Sequence, residues 1–427
     1  MNEWTVWLTW LIFVATYGGL ALGKVPGLRI DRAGIAFVGA TLMLATGVLG
    51  LEQAVSPESI DFETLFLLFG MMIVVSVLRL SGFFVRLAGI AMRRVTTPKS
   101  LLAVTIGVSG VLSAFLINDV ICMALTPLVL HLARRMKFDP LPQLIGLVTA
   151  ANVGSIGTIT GNPQNIYIGA HSGISYLRFA ARLLPVALLG LVLTYLVVLW
   201  VYRSQLAAPK EQAAPGTEDE STEEGNGEVI PRSRGRARLE IKAVAVTLAT
   251  VALFFAGLPM ELVALGAAAV LLLDRMKPEK IYRQVDWELL LMFTGLFIVV
   301  HAFRVHVVAG WGIEDWTWLQ YHPTEVLSLV SAALSNLVSN VPAVLLLEPV
   351  MRAVPEATRE TVWLALAMSS TFAGNLTVLG SVANLIVVEK ARREGVHISF
   401  SEYCKVGIPL TVLTLILGIL WLQFVTY

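Results

Sequence analysis

The sequence predicts an all-α polytopic membrane protein built from two inverted repeats, with about 10 transmembrane helices, two re-entrant hairpins and two broken helices. Three observations predict it. Long apolar stretches dominate the chain, ordered segments of the first half return in the second, and basic and acidic connections alternate between the stretches. Of 427 residues, 56% are hydrophobic and 14% charged, too few charges to clothe a water-soluble protein of this size. The mean hydropathy is +0.76. A net charge of +1 argues against nucleic acid as a partner. Cys122 and Cys404 both lie in apolar surroundings and imply no disulfide framework.

Taken in order, the elements of the first repeat, 1–202, alternate between two faces. Trp4 to Leu22 is long enough to span and lacks a basic lead and a cleavage site, so it reads as a first helix and not as a removed signal. Lys24, Arg29 and Arg32 put the next connection inside, and Glu52, Glu58 and Asp61, after a span at 33–51, put the following one outside. The span 62–80 returns to Arg79, Arg86, Arg93, Arg94 and Lys99 inside. The stretch 100–133 is then followed by Arg134, Arg135 and Lys137, so it enters and leaves on the cytoplasmic face. With a polar Asn118-Asp119 at its turn, it reads as a re-entrant hairpin in preference to two full helices. A broken helix at 140–171 and a span at 183–202 complete the repeat.

Segment 203–239 is rich in Glu, Gly, Pro and Arg and reads as a flexible cytoplasmic linker. The second repeat, 240–427, runs through spans at 240–257 and 258–274 to Arg275, Lys277, Lys280 and Arg283 inside. A span at 286–303 leads to Glu314 and Asp315 outside. The interrupted stretch 324–352 opens from that face and is followed by Glu356 and Glu360. The broken helix 361–391 ends at Arg392 and Arg393 inside, and a last span at 404–426 leaves both termini outside. The expected location is the cytoplasmic (inner) membrane of a prokaryote.

The repeat is visible in the residues themselves. DFETLFLLFG from Asp61 returns as DWELLLMFTG from Asp286, and LSAFLINDVICMALTPLV from Leu112 returns as LSNLVSNVPAVLLLEPV from Leu334. TITGNPQNI from Thr158 returns as TVLGSVANLI from Thr377, and ISYLRFAARLLP from Ile174 as ISFSEYCKVGIP from Ile398. The offsets are 225, 222, 219 and 224, taken as differences of those starting positions. Because Asp61 is expected outside and Asp286 inside, the repeats are inverted. Such repeats with interrupted helices are the architecture of secondary transporters, with the substrate at the repeat interface.

Backbone leaves helical form inside a membrane only where it is buried in protein or lines a cavity. Four interruptions qualify: Asn118-Asp119, Ser339-Asn340-Val341-Pro342, Gly161 to Asn165, and Gly374-Asn375 through Gly380-Ser381. Helix N-termini at such breaks favour an anion or an oxygen-rich solute, and unwound carbonyls favour a cation. Asp119 is the acid at a hairpin turn, and its repeat mate is Val341. A carboxylate near the bilayer centre costs roughly 2.5–3.5 kcal/mol on insertion scales and is therefore usually functional. Its natural role is reversible protonation, or cation ligation with Asn118 and the carbonyls around Asn165. Glu348, eight residues from the second turn, is expected near the aqueous edge. Cys122, one turn after Asp119, could touch a thiophilic solute or serve as a small core residue. The six histidines show no metal-ligand spacing, and no cofactor is implied.

The hairpin motifs LSAFLINDV and LSNLVSNVP, followed by GTITGNPQN and NLTVLGSVAN, resemble the ion transporter superfamily over essentially the whole chain outside the linker. That group includes arsenite permeases of the ArsB type, sodium/proton antiporters of the NhaD type, citrate transporters and sodium-coupled divalent-anion symporters. Asn118-Asp119 is similar to the permease and antiporter branch. The symporters carry Ser-Asn-Thr at their hairpin tips, where this chain has Ile117-Asn118-Asp119 and Ser339-Asn340-Val341. The resemblance implies that Asn118, Asp119, Ser339 and Asn340 are hairpin-tip ligands and that Asp119 carries the proton. It implies that Thr158, Asn162, Asn165, Asn375, Thr377, Ser381 and Asn384 complete a polar site from the broken helices. Arsenite-permease similarity implies export of arsenite or antimonite, a small inorganic solute, in exchange for protons.

Arsenite is largely an uncharged trihydroxide at neutral pH, which suits amides and hydroxyls with one titratable acid. No basic residue falls at any of the four breaks, which weighs against a multiply charged carboxylate. Two rivals use the same scaffold: a sodium-coupled anion or dicarboxylate symporter and a sodium/proton antiporter. A membrane-embedded enzyme would need a nucleophile–base pair or a metal cluster, and no HExxH, GxSxG or Cys-rich motif occurs.

Overall fold

The computed structural model describes residues 3–23, 30–92, 95–207, 234–274, 276–311, 321–351 and 353–425. Lys24, Arg29, Arg93, Arg94, Arg275, Glu314, Asp315 and residues 208–233 of the linker, all used above, lie outside the described residues. The elements are α1 (Glu3–Leu22), α2 (Arg32–Ala45), α3 (Leu51–Ala54), α4 (Phe62–Ser81), α5 (Phe83–Met92), α6 (Pro98–Phe115), α7 (Asn118–Arg135), α8 (Pro140–Ser155), α9 (Pro163–Ser172) and α10 (Tyr176–Val201). After the linker come α11 (Arg234–Phe255), α12 (Met260–Leu272), α13 (Pro278–Tyr282), α14 (Trp287–His306), α15 (Pro323–Val338), α16 (Asn340–Met351), α17 (Glu356–Ala373), α18 (Val382–Arg393) and α19 (Phe400–Phe424). Among the described residues, six helices are long and apolar enough to cross a bilayer. The chain is an all-α polytopic membrane protein.

Element by element the second half repeats the first: α11 to α14 follow the order of α1 to α4, and α15 to α19 that of α6 to α10. The same local chemistry starts equivalent helices. Asp61 caps α4 by accepting from Thr64 N at 3.1 Å, and Asp286 caps α14 by accepting from Leu289 N at 2.9 Å. Ser175 and Ser399 cap α10 and α19 in the same way, through Arg178 N and Glu402 N. Each cap satisfies one of the N–H groups that a helix start leaves without an internal partner.

Two of the expected spans are shorter than their apolar stretches. The stretch 33–51 yields a helix of only 14 residues, because the chain turns at Gly47 with φ +73. The stretch 258–274 yields one of 13 residues. Both short helices pack on a long helix of the opposite half, α2 along α14 and α12 along α4. Glycines at the same point of the repeat permit this closeness. A Cβ on Gly70 would stand 2.6 Å from the Ala264 carbonyl carbon, and one on Gly295 would stand 2.7 Å from that of Ala36. Small residues at helix crossings let backbones approach where lipid supplies no hydrophobic drive for association.

Helices α4 and α14 are the innermost of the long spans, with 72% and 67% of their apolar windows buried. For α1, α10 and α19 the share is 39%, which makes them the outer wall. Trp4, Trp7, Leu11, Leu188, Val192 and Trp200 all point out of the protein, a pattern suited to acyl chains.

Candidate functional site

Each interrupted stretch is two helices joined by a very short turn. Between α6 and α7 lie Leu116, which is extended, and Ile117, so that Asn118 opens α7. Between α15 and α16 lies Ser339 with φ +79, a left-handed conformation that is unusual outside glycine. Such strain persists where surrounding structure imposes it, often at functional positions. Helix α8 stops at Ser155, passes a 3-10 turn at Ile159–Gly161 and resumes at Pro163. Helix α17 stops at Ala373, passes a 3-10 turn at Val378–Gly380 and resumes at Val382.

The broken helices are stapled by one device used twice. Asn165 Nδ2 donates to the carbonyls of Ser155 at 3.2 Å and Thr158 at 3.1 Å. Asn384 Nδ2 donates to those of Gly374 at 2.7 Å and Thr377 at 2.9 Å. Ser155 matches Gly374 and Thr158 matches Thr377 in the repeat, so each amide grips the same two carbonyls upstream of its own helix. A buried carbonyl left without a donor costs about 1–3 kcal/mol, which is what the staple avoids. Both side chains thus spend their N–H groups on the loops, leaving their oxygens for other contacts.

A hub that the breaks did not reveal joins the site. Asn152, inside α8 and 1% exposed, accepts at Oδ1 from Asn118 Nδ2 at 3.0 Å and from Ser381 Oγ at 3.3 Å. Its Nδ2 donates to Asn375 Oδ1 at 2.9 Å and Asn384 Oδ1 at 3.0 Å. Asn375 in turn donates to the Thr149 carbonyl at 3.2 Å. One hairpin tip and both sides of the second break therefore converge on one amide. The repeat mate of Asn152 is Thr371, at the offset of 219 found above. Thr371 Oγ1 receives Asn162 Nδ2 at 3.1 Å and Gln164 Nε2 at 2.9 Å. Asn162 and Ser381 are mates as well, so each resumed helix reaches across to the first arm of the other broken helix.

Of the remaining expected positions, Asp119 lies near the Ala383 backbone in the first turn of α18 and within electrostatic reach of Asp286 and Cys122. The Thr158 hydroxyl bonds the Ala114 carbonyl at the end of α6, and Thr160 that of Phe115. Ser339 and Asn340 are buried, and Asn340 lies against Gly374, 3.4 Å from where a Cβ would stand. Thr377 enters through its carbonyl and not its hydroxyl. Cys122 is fully buried on α7. Glu348 is 8% exposed and paired at 3.7 Å with Arg304, which also donates to the Glu58 carbonyl in the loop before α4. Two buried oxygens, Asn118 Oδ1 and its mate Asn340 Oδ1, have no hydrogen-bond partner among the described residues, and neither do the mates Ser113 Oγ and Ser335 Oγ.

The hub makes a test. Asn152→Ala removes four hydrogen bonds at once. With roughly 0.5–1.5 kcal/mol each, and more where a buried partner is stranded, it is expected to abolish transport and lower the thermal midpoint in detergent. Asn152→Ala with wild-type flux would show the cluster to be dispensable.

A buried, symmetric arrangement of interrupted helices around a polar centre defines a membrane transport protein. The family model described as "Citrate transporter" matches residues 10–368 and 326–426. The chain belongs to that family, which is part of the ion transporter superfamily. It is 32% identical to the silicon efflux transporter LSI3 of Oryza sativa, over 93% of each chain. It is 31% identical to a 46 kDa membrane protein of Mycobacterium leprae, over 97% of each. A Dictyostelium discoideum chain that carries the name arsB is 26% identical, over 96% of this chain and 90% of that one. The crystal structure of the Alcanivorax borkumensis YdaH transporter shares the fold with a TM-score of 0.59, at 14% identity, covering 98% of this chain and 97% of that one.

Proposed function

We propose that the chain is a secondary active exporter of a small uncharged metalloid hydroxide, arsenite or antimonite above all, driven by proton exchange through alternating access. The observation that carries this reading is the chemistry of the centre. Asn118, Asn152, Asn375, Ser381 and Asn384 offer amide and hydroxyl groups, Asp119 stands beside them, and no basic residue occupies any break. Such a set hydrogen-bonds a neutral polyhydroxide from several sides and lacks the cation that a carboxylate substrate would require. The names of two relatives, a silicon efflux transporter and an arsB protein, point to the same substrate class, since silicic and arsenous acids are both uncharged hydroxides at neutral pH.

In this reading the halves are inverted repeats, 1–202 and 240–427, in a prokaryotic cytoplasmic membrane with both termini outside. Helices α6–α7 and α15–α16 form re-entrant hairpins whose tips meet near the midplane. Asn118, Asn340, Asn375, Ser381 and Asn384 contact the solute or ion, with Thr158, Asn162, Asn165, Ser339 and Thr377 shaping the site, and Asp119 exchanges the proton. Cys122, one turn below Asp119, is the candidate contact for a thiophilic metalloid.

The test is flux in proteoliposomes of the purified full chain, comparing arsenite, silicic acid, citrate and sodium under an imposed pH gradient. Arsenite accumulation that follows the proton gradient and ignores sodium is the expected result, and citrate uptake that needs sodium overturns it. Asn118→Ala and Asn340→Ala should each reduce flux severely while inserting normally; wild-type flux in both sinks the shared site.

A sodium-coupled anion symporter is the second reading, and a specific observation favours it. Asn118 Oδ1 and Ser113 Oγ in the first hairpin, and their mates Asn340 Oδ1 and Ser335 Oγ in the second, are buried oxygens without a hydrogen-bond partner among the described residues. Hard cations take oxygen ligands of this kind. A sodium/proton antiporter on the same scaffold would show itself as salt sensitivity in cells lacking the protein.

A further inference from the structure

Two arginines that no part of the site uses are related by the repeat. Arg79 on α4 and Arg304 on α14 stand at the offset of 225 that relates Asp61 to Asp286 and Gly70 to Gly295. Arg79 NH1 lies 2.8 Å from Met123 Sδ on α7 and donates to Gln284 Oε1 at 2.8 Å, in the segment leading into α14. Arg304 pairs with Glu348 on α16 at 3.7 Å and donates to the Glu58 carbonyl at 3.2 Å, in the segment leading into α4. It also lies 3.1 Å from His301 Nδ1. Each arginine therefore holds the second arm of its own half's hairpin and, with the same guanidinium, the segment that opens the long central helix of the other half.

We propose that Arg79 and Arg304 are positioning residues for transport: a matched pair of latches, each closing one hairpin against the opposite half, on opposite faces of the membrane. This rests on the alternating-access reading above. A guanidinium carries five donors in a fixed planar fork and so joins two partners without changing rotamer, which an ammonium does less well. The latches differ at one end. The first terminates on a thioether and an amide, the second on a carboxylate and a carbonyl. Releasing either one frees a single hairpin, because the two contact sets share no residue.

Cys122 is a native reporter on the first hairpin, and its repeat mate Val344 is the matching position on the second, both fully buried. In a Cys404→Ser background, Cys122 would be labelled with a membrane-impermeant maleimide in vesicles of both orientations. A Cys122→Ala, Cys404→Ser, Val344→Cys chain serves the second hairpin. Arg79→Gln is expected to speed labelling of Cys122 about tenfold, equivalent to ~1.4 kcal/mol in hairpin opening, and to leave Val344→Cys unchanged. Arg304→Gln and Glu348→Gln should do the reverse, on vesicles of the opposite orientation. Arg304→Glu combined with Glu348→Arg should restore slow labelling of Val344→Cys.

A merely structural role would loosen both reporters together, and that result overturns the proposal, as does no change in either. If Arg79→Gln does not accumulate in the membrane, Gln284→Leu removes the far acceptor and keeps the arginine. Unchanged Cys122 labelling in that variant counts equally against the latch. Labelling needs no substrate, so a failed arsenite flux sinks the functional reading and leaves the latches standing.

Discussion

Asp119→Asn is expected to retain substrate binding and exchange while losing uphill transport driven by a pH gradient. Asp119 is the acid at the four helix breaks, and its mate Val341 is apolar. A lone carboxylate at that point either changes protonation through the cycle or holds a cation throughout. Helix α7 packs against α18, which brings Asp119 near the Ala383 backbone in the first turn of α18, the resumed part of the opposite broken helix. Helix N-termini carry about half a positive charge, which steadies an anion without adding a basic side chain that would compete with a proton. Asparagine keeps the size and a hydrogen-bond-accepting oxygen but cannot titrate. Counterflow of labelled arsenite at equal pH should thus persist within about threefold of wild type, and concentrative transport should vanish. Concentration of substrate by protons in the Asn variant would remove Asp119 from the carrier role. Loss of a sodium dependence present in wild type would transfer the case to the symporter.

Gly295→Leu and Gly70→Leu are expected to prevent correct assembly. At both positions even a methyl group meets backbone of the partner helix, at 2.7 Å and 2.6 Å, so no side-chain rotation relieves the clash. Overpacking of a tight contact costs about 1–3 kcal/mol where side chains yield. A backbone obstacle forces whole helices apart and should cost more. Gly266 on α12 is the control, since a Cβ there meets nothing within 4 Å. Size-exclusion profiles and thermal midpoints in detergent should separate Gly295→Leu and Gly70→Leu, aggregated or strongly destabilised, from Gly266→Leu, close to wild type. Monodisperse, stable Gly295→Leu protein would mean the α2–α14 crossing is looser than described.

Much of this architecture is written in local chemistry and so is legible. The caps Asp61 and Asp286, the prolines and glycines of the breaks and the paired asparagines all act on their own neighbours, and repetition doubles the signal. What escaped reading is long-range. The asparagine at 152 sits in the regular first arm of a broken helix and not at the break itself, so reading the breaks passes over it, although a lone amide inside an apolar run is itself unusual in a membrane. The Arg304–Glu348 pair is likewise invisible in the sequence, because the two residues belong to different helices. The length of α2 was misjudged because hydropathy continues past Gly47 while the backbone does not. Asn165 and Asn384 were legible as polar members of the site, but not as staples, since the carbonyls they grip are present in every residue.

The exchange of α2 and α12 between the halves bears on how the molecule is made. A nascent chain carries its first half into the bilayer with the inner face of α4 and the Ala36 side of α2 both lacking their partners, which the ribosome delivers only after the linker. The early half must therefore wait as a loosely assembled set of helices and can close only when α12 and α14 slot in. The two halves produced as separate polypeptides should therefore be stable together and degraded alone.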